Sequence, residues 1–200
     1  TLRDIRVRYK QTVLGIIWIA VQPLIQMVIF SFFFGTVANL DSEGIPYALY
    51  TFAALVPWTF FSSTLNRSTQ SVVGSSGMIK KIYFPRLLLP ISGLLSSLVD
   101  FIIPFLILIA MMLWFQVSFT WTLLWLPVFM ALSASVALGA GVWLSALNVQ
   151  FRDVRMAVAY IVQIWFWISP VAYADTIVSP EWELIYALNP MAGVLSGFRW

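Results

Sequence analysis

Residues that could carry out covalent chemistry are scarce in this chain of 200 residues. It contains no Cys and no His, which excludes thiol nucleophiles, Cys/His zinc sites and histidine general bases from the chain. The pattern GxxxxGK[ST] is absent too, so the usual backbone cradle for a nucleoside triphosphate is missing. We therefore expect no enzyme and no cofactor or metal in this chain, with any ATP handled by another polypeptide.

The most informative acidic residue is Asp100, because the stretches on either side of it, from 87 to 151, carry no other charge. A continuous helix would place it on the order of 20 Å beyond Arg86, inside a membrane. A carboxylate at that depth is costly unless it is paired or hydrated, so Asp100 marks a candidate site. The alternative is a structural hydrogen bond to Ser96, Ser97 or another helix. One buried acid without an intramembrane Lys, Arg or His argues against a proton relay.

Basic residues form clusters in which guanidinium and ammonium groups could bind phosphate. Ten of the eleven Lys and Arg residues fall on one side of the alternating apolar stretches, with Arg199 as the exception. This asymmetry predicts that the N-terminus is cytoplasmic. Positive charge could serve topology alone, or it could bind a phosphate group at the membrane surface. The candidates for the second role are Arg6, Arg8, Lys10, Arg152 and Arg155.

Membrane helices must position these residues, because 61% of the chain is hydrophobic and only 10% is charged. A soluble domain would need far more charge to cover its surface. The uncharged stretches predict five spans of roughly 20 residues or more. They lie at about 13 to 37, 46 to 65, 88 to 115, 122 to 148 and 156 to 174. The first is too long for the apolar core of a signal peptide. The predicted fold class is an all-α, polytopic membrane protein.

Three segments outside the spans have predictions of their own. Residues 1 to 12 alternate apolar and basic faces at helical spacing, which predicts an amphipathic helix lying in the membrane interface. Residues 66 to 86 form the longest cytoplasmic connection, whose aromatic and basic end favours contact with a partner over a plain topological anchor. Residues 175 to 200 contain apolar pieces too short to cross. They predict extracellular re-entrant half-helices, with an ordinary loop as the alternative.

Aromatic residues cluster on the first, second and fifth predicted spans, at 30 to 34, 58 to 61 and 165 to 167. Their rings could stack on the apolar faces of sugars in a wide channel, although interfacial belts and lipid-facing packing explain most membrane aromatics. The candidates to line such a channel are Trp58, Phe60, Phe61, Asp100, Trp165 and Trp167.

The fourth predicted span has two ladders of small residues, which allow neighbouring helices to approach closely. One ladder is Ala131, Ser135 and Gly139, and the other is Ala137, Gly141 and Ser145. We expect both to serve packing.

Six ordered motifs resemble the membrane subunit of type-2 ABC exporters of polysaccharides, the group that moves O-antigen, capsule and teichoic-acid chains. The resemblance covers all 200 residues. The motifs are RVRYKQTVLGIIWIAVQP at 6 to 23, GIPYALY at 44 to 50, KKIYFPRLLLP at 80 to 90, LSALNVQFRDVR at 144 to 155, SPVAY at 169 to 173 and LNPMAGVLSGFRW at 188 to 200.

This resemblance implies an interfacial N-terminal helix, a coupling helix between spans two and three, and two re-entrant helices before a sixth span that the chain lacks. The coupling helix would dock on an ATPase through Met78, Lys80, Lys81, Tyr83, Phe84 and Arg86. Family members often have Asn where Gly77 stands, which leaves the local cap of that helix open. Two permease copies would pair with two ATPase subunits that hold ATP and Mg.

The resemblance therefore implies a permease subunit that moves a lipid-linked polysaccharide across the bacterial inner membrane. Its partners would be a second copy of itself, two ATPases, the bilayer and the glycan, with no nucleic acid. A type-2 ABC exporter of small molecules would share the topology. A membrane-embedded glycan transferase would share the aromatics, but it needs a catalytic base and usually a metal site.

Overall fold

The computed structural model describes residues 15–38, 44–81, 83–117, 121–151, 153–171 and 186–199, and within them the chain is helical without strands. Within these described ranges, four helical segments are long and apolar enough to cross a membrane, and a shorter apolar helix follows them. The prediction of an all-α, polytopic membrane protein is confirmed. The helices are α1 at Gly15–Phe30, continued as a π-helix at Ser31–Val37, α2 at Tyr47–Gly74, α3 at Ser76–Ile79, α4 at Leu88–Trp114, α5 at Leu126–Gln150 after a 3-10 turn at Trp121–Trp125, α6 at Val154–Ile168, and α7 at Pro190–Arg199.

Helix α2 lies at the centre and contacts α1, α4, α5, α6 and α7. We call the end of the bundle at which α2 ends and α4 begins the basic end, because residues 75–87 lie there with Lys80, Lys81 and Arg86.

Helix α2 is longer than the span expected at 46 to 65, since it continues to Gly74. Its polar extension stays helical because its side chains find partners without leaving the bundle. Asn66 donates to the carbonyl of Ser62 at 2.8 Å, and Thr69 donates to that of Leu65 at 2.8 Å. The extension places Arg67 inside the helix, whereas the charge pattern assigned it to the connection.

Helix α6 is shorter than the fifth span expected at 156 to 174. It has 15 residues, which measure about 22 Å and fall short of the roughly 30 Å hydrocarbon core. The helix stops because Ser169 precedes Pro170, and the residue before a proline is driven into an extended conformation. Ser169 adopts φ −88° and ψ 148° accordingly.

Helix α7 is too short to cross a membrane and is packed against α2 and α5. It starts with Asn189 as its cap, because the Asn189 Oδ1 atom accepts from the Met191 amide at 3.1 Å and Pro190 occupies the first helical position. At its other end the Arg199 Nη2 atom donates to the Val171 carbonyl at 2.7 Å. The Arg199 guanidinium also stacks on the Tyr50 ring, 3.8 Å from its centroid. Arg199, the one basic residue outside the charge asymmetry, thus links α7 to α2.

The two small-residue ladders of α5 have different surroundings. Ala137, Gly141 and Ser145 are buried, and a Cβ atom built on Gly141 would lie 2.6 Å from the Cβ of Ser68 on α2. The ladder of Ala131, Ser135 and Gly139 is exposed. Among the described residues, the ladder of Ala137, Gly141 and Ser145 packs α5 against another helix, whereas a side chain added at Gly139 in the second ladder would meet open space.

Several predictions fall outside the described residues. They concern the interfacial helix at 1 to 12 with Arg6, Arg8 and Lys10, the side chain of Arg152, and the part of the re-entrant region at 175 to 185.

Candidate functional site

An ion pair joins helices α2 and α4. The connection between these helices, at residues 75–87, is called the basic connection below. The Arg67 Nη2 atom of α2 donates to the Asp100 Oδ2 atom of α4, and the two side chains are 22% and 15% exposed. Asp100 therefore has a charged partner on another helix, whereas Ser97 and Ser96 donate to carbonyls of their own helix. The pair also supplies an intramembrane Arg that the charge pattern did not predict. A guanidinium keeps its proton, so it adds no step to a proton relay.

Close packing of the backbones brings the two charges together. A Cβ atom built on Gly93 of α4 would lie 3.2 Å from the Cβ of Arg67, closer than most Cβ contacts, so the absence of a side chain at Gly93 favours this approach. Next to it, the Ser68 hydroxyl donates to the Pro90 carbonyl at 3.2 Å. On the other side of α2, the Asn148 Nδ2 atom of α5 donates to the Thr69 carbonyl at 3.1 Å. Helix α2 is thus fastened to both neighbours near the basic end.

A cavity of about 210 Å³ opens beside the ion pair, between α1, α2 and α4. Its apolar lining includes Phe60 and Phe101, whose rings meet edge to face with centroids 5.6 Å apart. Two predicted channel residues, Phe60 and Asp100, therefore lie at this cavity. Its polar lining consists of Gln22, Thr59, Ser63, Arg67, Ser97 and Asp100.

The other predicted channel residues form a separate aromatic cluster between α1, α2 and α6. Trp58 and Phe61 are buried, and the Phe61 and Trp165 rings meet at 5.0 Å. Trp167 is 54% exposed. The Trp165 Nε1 atom donates to the Asn189 Oδ1 atom at 2.9 Å, which links the cluster to α7. In this conformation the rings contact one another, and their role in a channel stays a prediction.

The predicted coupling residues lie in the most exposed part of the described chain. Tyr83 is 99% exposed and Met78 is half-exposed, while Phe84 is half-buried. Lys80, Lys81 and Arg86 are exposed. The short helix α3 forms with Gly77 in its interior, and a side chain at that position would meet open space. The departure from Asn at Gly77 therefore leaves helix α3 intact.

Among the predicted phosphate-binding residues, Arg155 is the one whose side chain is described. It is exposed in the first turn of α6, just after the short connection from α5 to α6. Its guanidinium is therefore accessible from outside the helix bundle.

Three residues at these sites were missed from the sequence. Arg67 could have been assigned to the helix, because the run from Asn66 to Gly74 contains no Pro and no Gly before its last residue. Gln22 is a polar residue in an apolar span, and such residues usually face a cavity or another helix, so its position at a cavity could have been predicted. Asn189 carries the Asn-Pro pattern of a helix cap followed by the first helical residue.

Metal coordination has no donor set in the described part of the chain, since no three His, Cys, Asp or Glu side chains come together there. The described part of the chain instead contains apolar spans, an ion pair between two of the spanning helices, and an exposed basic connection. These features define a multi-pass membrane protein.

The chain belongs to the family described as ABC-2 type transporter, whose family model matches residues 1–200. Membership makes it the permease subunit of a transporter and implies association with an ATPase subunit. It is 29% identical over 202 residues to the O-antigen export system permease protein RfbA of Klebsiella pneumoniae, covering 100% of this chain and 76% of that protein.

Two further relatives extend this result. The O-antigen export system permease protein RfbA of Myxococcus xanthus is 25% identical over 199 residues, covering 98% of this chain and 76% of the relative. The polysialic acid transport protein KpsM of Escherichia coli is 29% identical over 77 residues, covering 38% of this chain and 30% of that protein.

Proposed function

We propose that this chain is the permease of an ATP-driven exporter that moves a lipid-linked polysaccharide across the bacterial inner membrane. The observation that carries the proposal is similarity to permeases of O-antigen export along at least 98% of this chain and 76% of each relative. The partial match to a polysialic acid transport protein points to the same substrate class. In this proposal the N-terminus is cytoplasmic, two copies form the permease, and two ATPase subunits hold ATP and Mg.

Deletion of the gene in its host tests the substrate class. We expect loss of the surface polysaccharide and accumulation of its lipid-linked form inside the cell, with both reversed by the wild-type gene. A strain that keeps its surface polysaccharide but loses efflux of a small molecule would instead support the rival exporter. Restoration of the surface polysaccharide by the permease gene in a strain that lacks the ATPase gene would contradict a mechanism that needs both subunits.

The basic connection is the proposed docking surface for the ATPase. Exposed aromatic and basic side chains at one end of a membrane bundle suit a soluble partner, because Tyr83 and Met78 offer apolar area and the charges steer association. The proposed contact residues are Met78, Lys80, Lys81, Tyr83, Phe84 and Arg86.

Replacement of Lys80, Lys81 and Arg86 together by Ala should weaken co-purification of the ATPase while leaving membrane insertion intact. The matched control is Lys80→Arg, Lys81→Arg and Arg86→Lys, which keeps the charge at every position. Undiminished co-purification and unchanged stimulated ATPase activity in the Ala variant would remove the docking role.

The proposed glycan path uses the aromatic cluster. The rings of Trp58 and Phe61 face Trp165 and Phe166 in this conformation, so a glycan could touch them only after α6 moves away from α2. Helix α6 is suited to such a movement because it ends at the Ser169–Pro170 break. Ala at two or more cluster positions should reduce export without loss of assembly, and rescue by Leu would instead indicate a need for bulk alone.

The proposed contacts for the lipid pyrophosphate remain Arg6, Arg8, Lys10, Arg152 and Arg155. Arg-to-Lys changes preserve the charge that sets topology but remove the bidentate fork that suits phosphate. Normal export by every such variant would leave topology as their role.

A further inference from the structure

We propose that the cavity beside Arg67 and Asp100 binds one sugar ring of the exported glycan. The inference rests on the proposed function, and it assigns to the glycan a site outside the aromatic cluster. It depends on the charge of the cavity, on a buried donor of Arg67, and on the remaining lining groups.

The charge of the cavity favours a neutral ligand. Arg67 and Asp100 carry opposite formal charges and are paired, so together they add no net charge. A phosphate that approached Arg67 would also meet the Asp100 carboxylate, and like charges repel strongly where water is scarce. Sugar hydroxyls avoid this repulsion, because each can donate to a carboxylate and accept from a guanidinium.

Arg67 retains a donor for such a ligand. Its Nη1 atom is buried and has no hydrogen-bond partner among the described residues. A buried donor without an acceptor is costly, so the cavity favours a ligand or water that supplies an oxygen. A hydroxyl oxygen held there could at the same time donate its proton to the neighbouring carboxylate.

Other lining groups offer acceptors and an apolar surface. The hydroxyls of Thr59 and Ser97 donate to carbonyls of their own helices, which leaves their oxygens to accept from a ligand. Pro23 has no amide N–H, so the carbonyl of Ile19 lacks its usual donor within α1. Trp18 contributes an aromatic surface, as expected where a sugar presents its apolar face.

The size of the cavity limits what it can hold. Its volume of about 210 Å³ is below the roughly 300–1,000 Å³ typical of sites for drug-sized ligands. A single pyranose ring suits that volume better than an oligosaccharide. The exposed amide of Gln22 lies at the rim on α1, where it can reach a substituent that leaves the cavity.

The experiment measures saturation-transfer difference NMR on the purified permease–ATPase complex in nanodiscs of phosphatidylcholine and phosphatidylglycerol. The probes are methyl glycosides of glucose, galactose, mannose, rhamnose and N-acetylglucosamine, together with oligosaccharides released by mild acid from the host's surface glycan. We expect at least one probe to receive saturation. Its apparent dissociation constant should rise about tenfold or more in R67M/D100L, because charged hydrogen bonds are lost.

The double variant is chosen because apolar residues of similar volume can replace a buried ion pair with little loss of stability. Q22L should weaken binding to a smaller extent, since it removes one amide at the rim. Its matched control is Q26L, the same change one turn along α1 at a residue outside the cavity lining. Thermal unfolding of each complex shows that the variants remain folded.

Equal binding by the wild type and R67M/D100L, or no saturation of any probe, would overturn the sugar site. A zwitterionic lipid head group is the competing occupant, because its amine and phosphate could use both charges. Stabilisation by phosphatidylethanolamine that R67M/D100L abolishes, with no glycoside signal, would assign the cavity to lipid and overturn the proposal. Restoration of surface glycan by the wild-type gene is scored separately, so the proposed function stands or fails on its own.

Discussion

Helices α2 and α4 cross the same bundle side by side, yet their composition and burial are reversed. Helix α4 has the highest mean hydropathy of the four candidate spans and α2 the lowest. In the most apolar stretch of each helix, 78% of the residues of α2 are buried and only 17% of those of α4. The less apolar helix is therefore the one at the centre.

The reversal follows from the solvent. Lipid tails are as apolar as Leu, so the hydrophobic effect does not drive an apolar membrane helix into the protein. Polar side chains are the ones that gain from burial, because inside the protein they find partners that lipid lacks. Helix α2 buries Ser68 and Thr69, whose hydroxyls donate to the carbonyls of Pro90 and Leu65, whereas α4 exposes Leu and Ile side chains.

The largest expected change in stability comes from removing one charge of the ion pair between α2 and α4. Arg67→Met or Asp100→Leu alone should lower the free energy of unfolding by about 3–5 kcal/mol, because either change removes the ion pair that compensates a largely buried charge. The double variant should cost much less than the sum. Denaturation of the purified protein by SDS titration measures all three variants in one double-mutant cycle.

A matched control keeps both charges and exchanges their helices, as Arg67→Asp with Asp100→Arg. It should recover part of the stability lost in each single variant. Additive losses in the double variant R67M/D100L would show that the two residues act independently, against the pairing seen here.

The second test addresses the contact of α2 with its other neighbour. Gly141→Val on α5 should cost about 1–3 kcal/mol of unfolding free energy, since even its Cβ would lie 2.6 Å from the Cβ of Ser68. Gly139→Val is the control on the same helix, because a side chain there meets open space. SDS titration of the pair separates packing from helix propensity, which changes equally in both. Equal losses would mean that α5 is not held at Gly141.

Hydropathy and charge predicted the elements of this comparison but not their arrangement. The first four spans could be placed from the sequence, because roughly 20 apolar residues in a row have few other uses in a protein. The depth of Asp100 also followed from the sequence, since a helix rises by a constant amount per residue. The burial of α2 did not, because hydropathy reports transfer into lipid and not contact with protein.

At the candidate site too, the sequence predicted individual residues better than their contacts. Asp100 was identified from its own surroundings, but its partner Arg67 is distant in the chain and was assigned to the connection beyond α2. The two helices approach closely at Gly93, where the Ser68 hydroxyl also donates to the Pro90 carbonyl, and no local sequence pattern reveals which helices approach in this way. The exposed connection was easier to predict because its charges and aromatics are adjacent in sequence.

The smallest expected effect comes from α4 itself, where two leucines of one helix differ in surroundings. Leu106 is 58% exposed and should face lipid, whereas Leu108 is 4% exposed. Leu106→Ala should change the unfolding free energy by no more than about 0.5 kcal/mol, because it exchanges one lipid-facing apolar group for another. Leu108→Ala should cost about 2 kcal/mol, near the low end for buried Leu, since packing is lost but transfer from water contributes little. SDS titration in detergent compares the two variants directly. A loss at Leu106 equal to that at Leu108 would place a protein surface, such as a second copy of the chain, against the face of α4 assigned here to lipid.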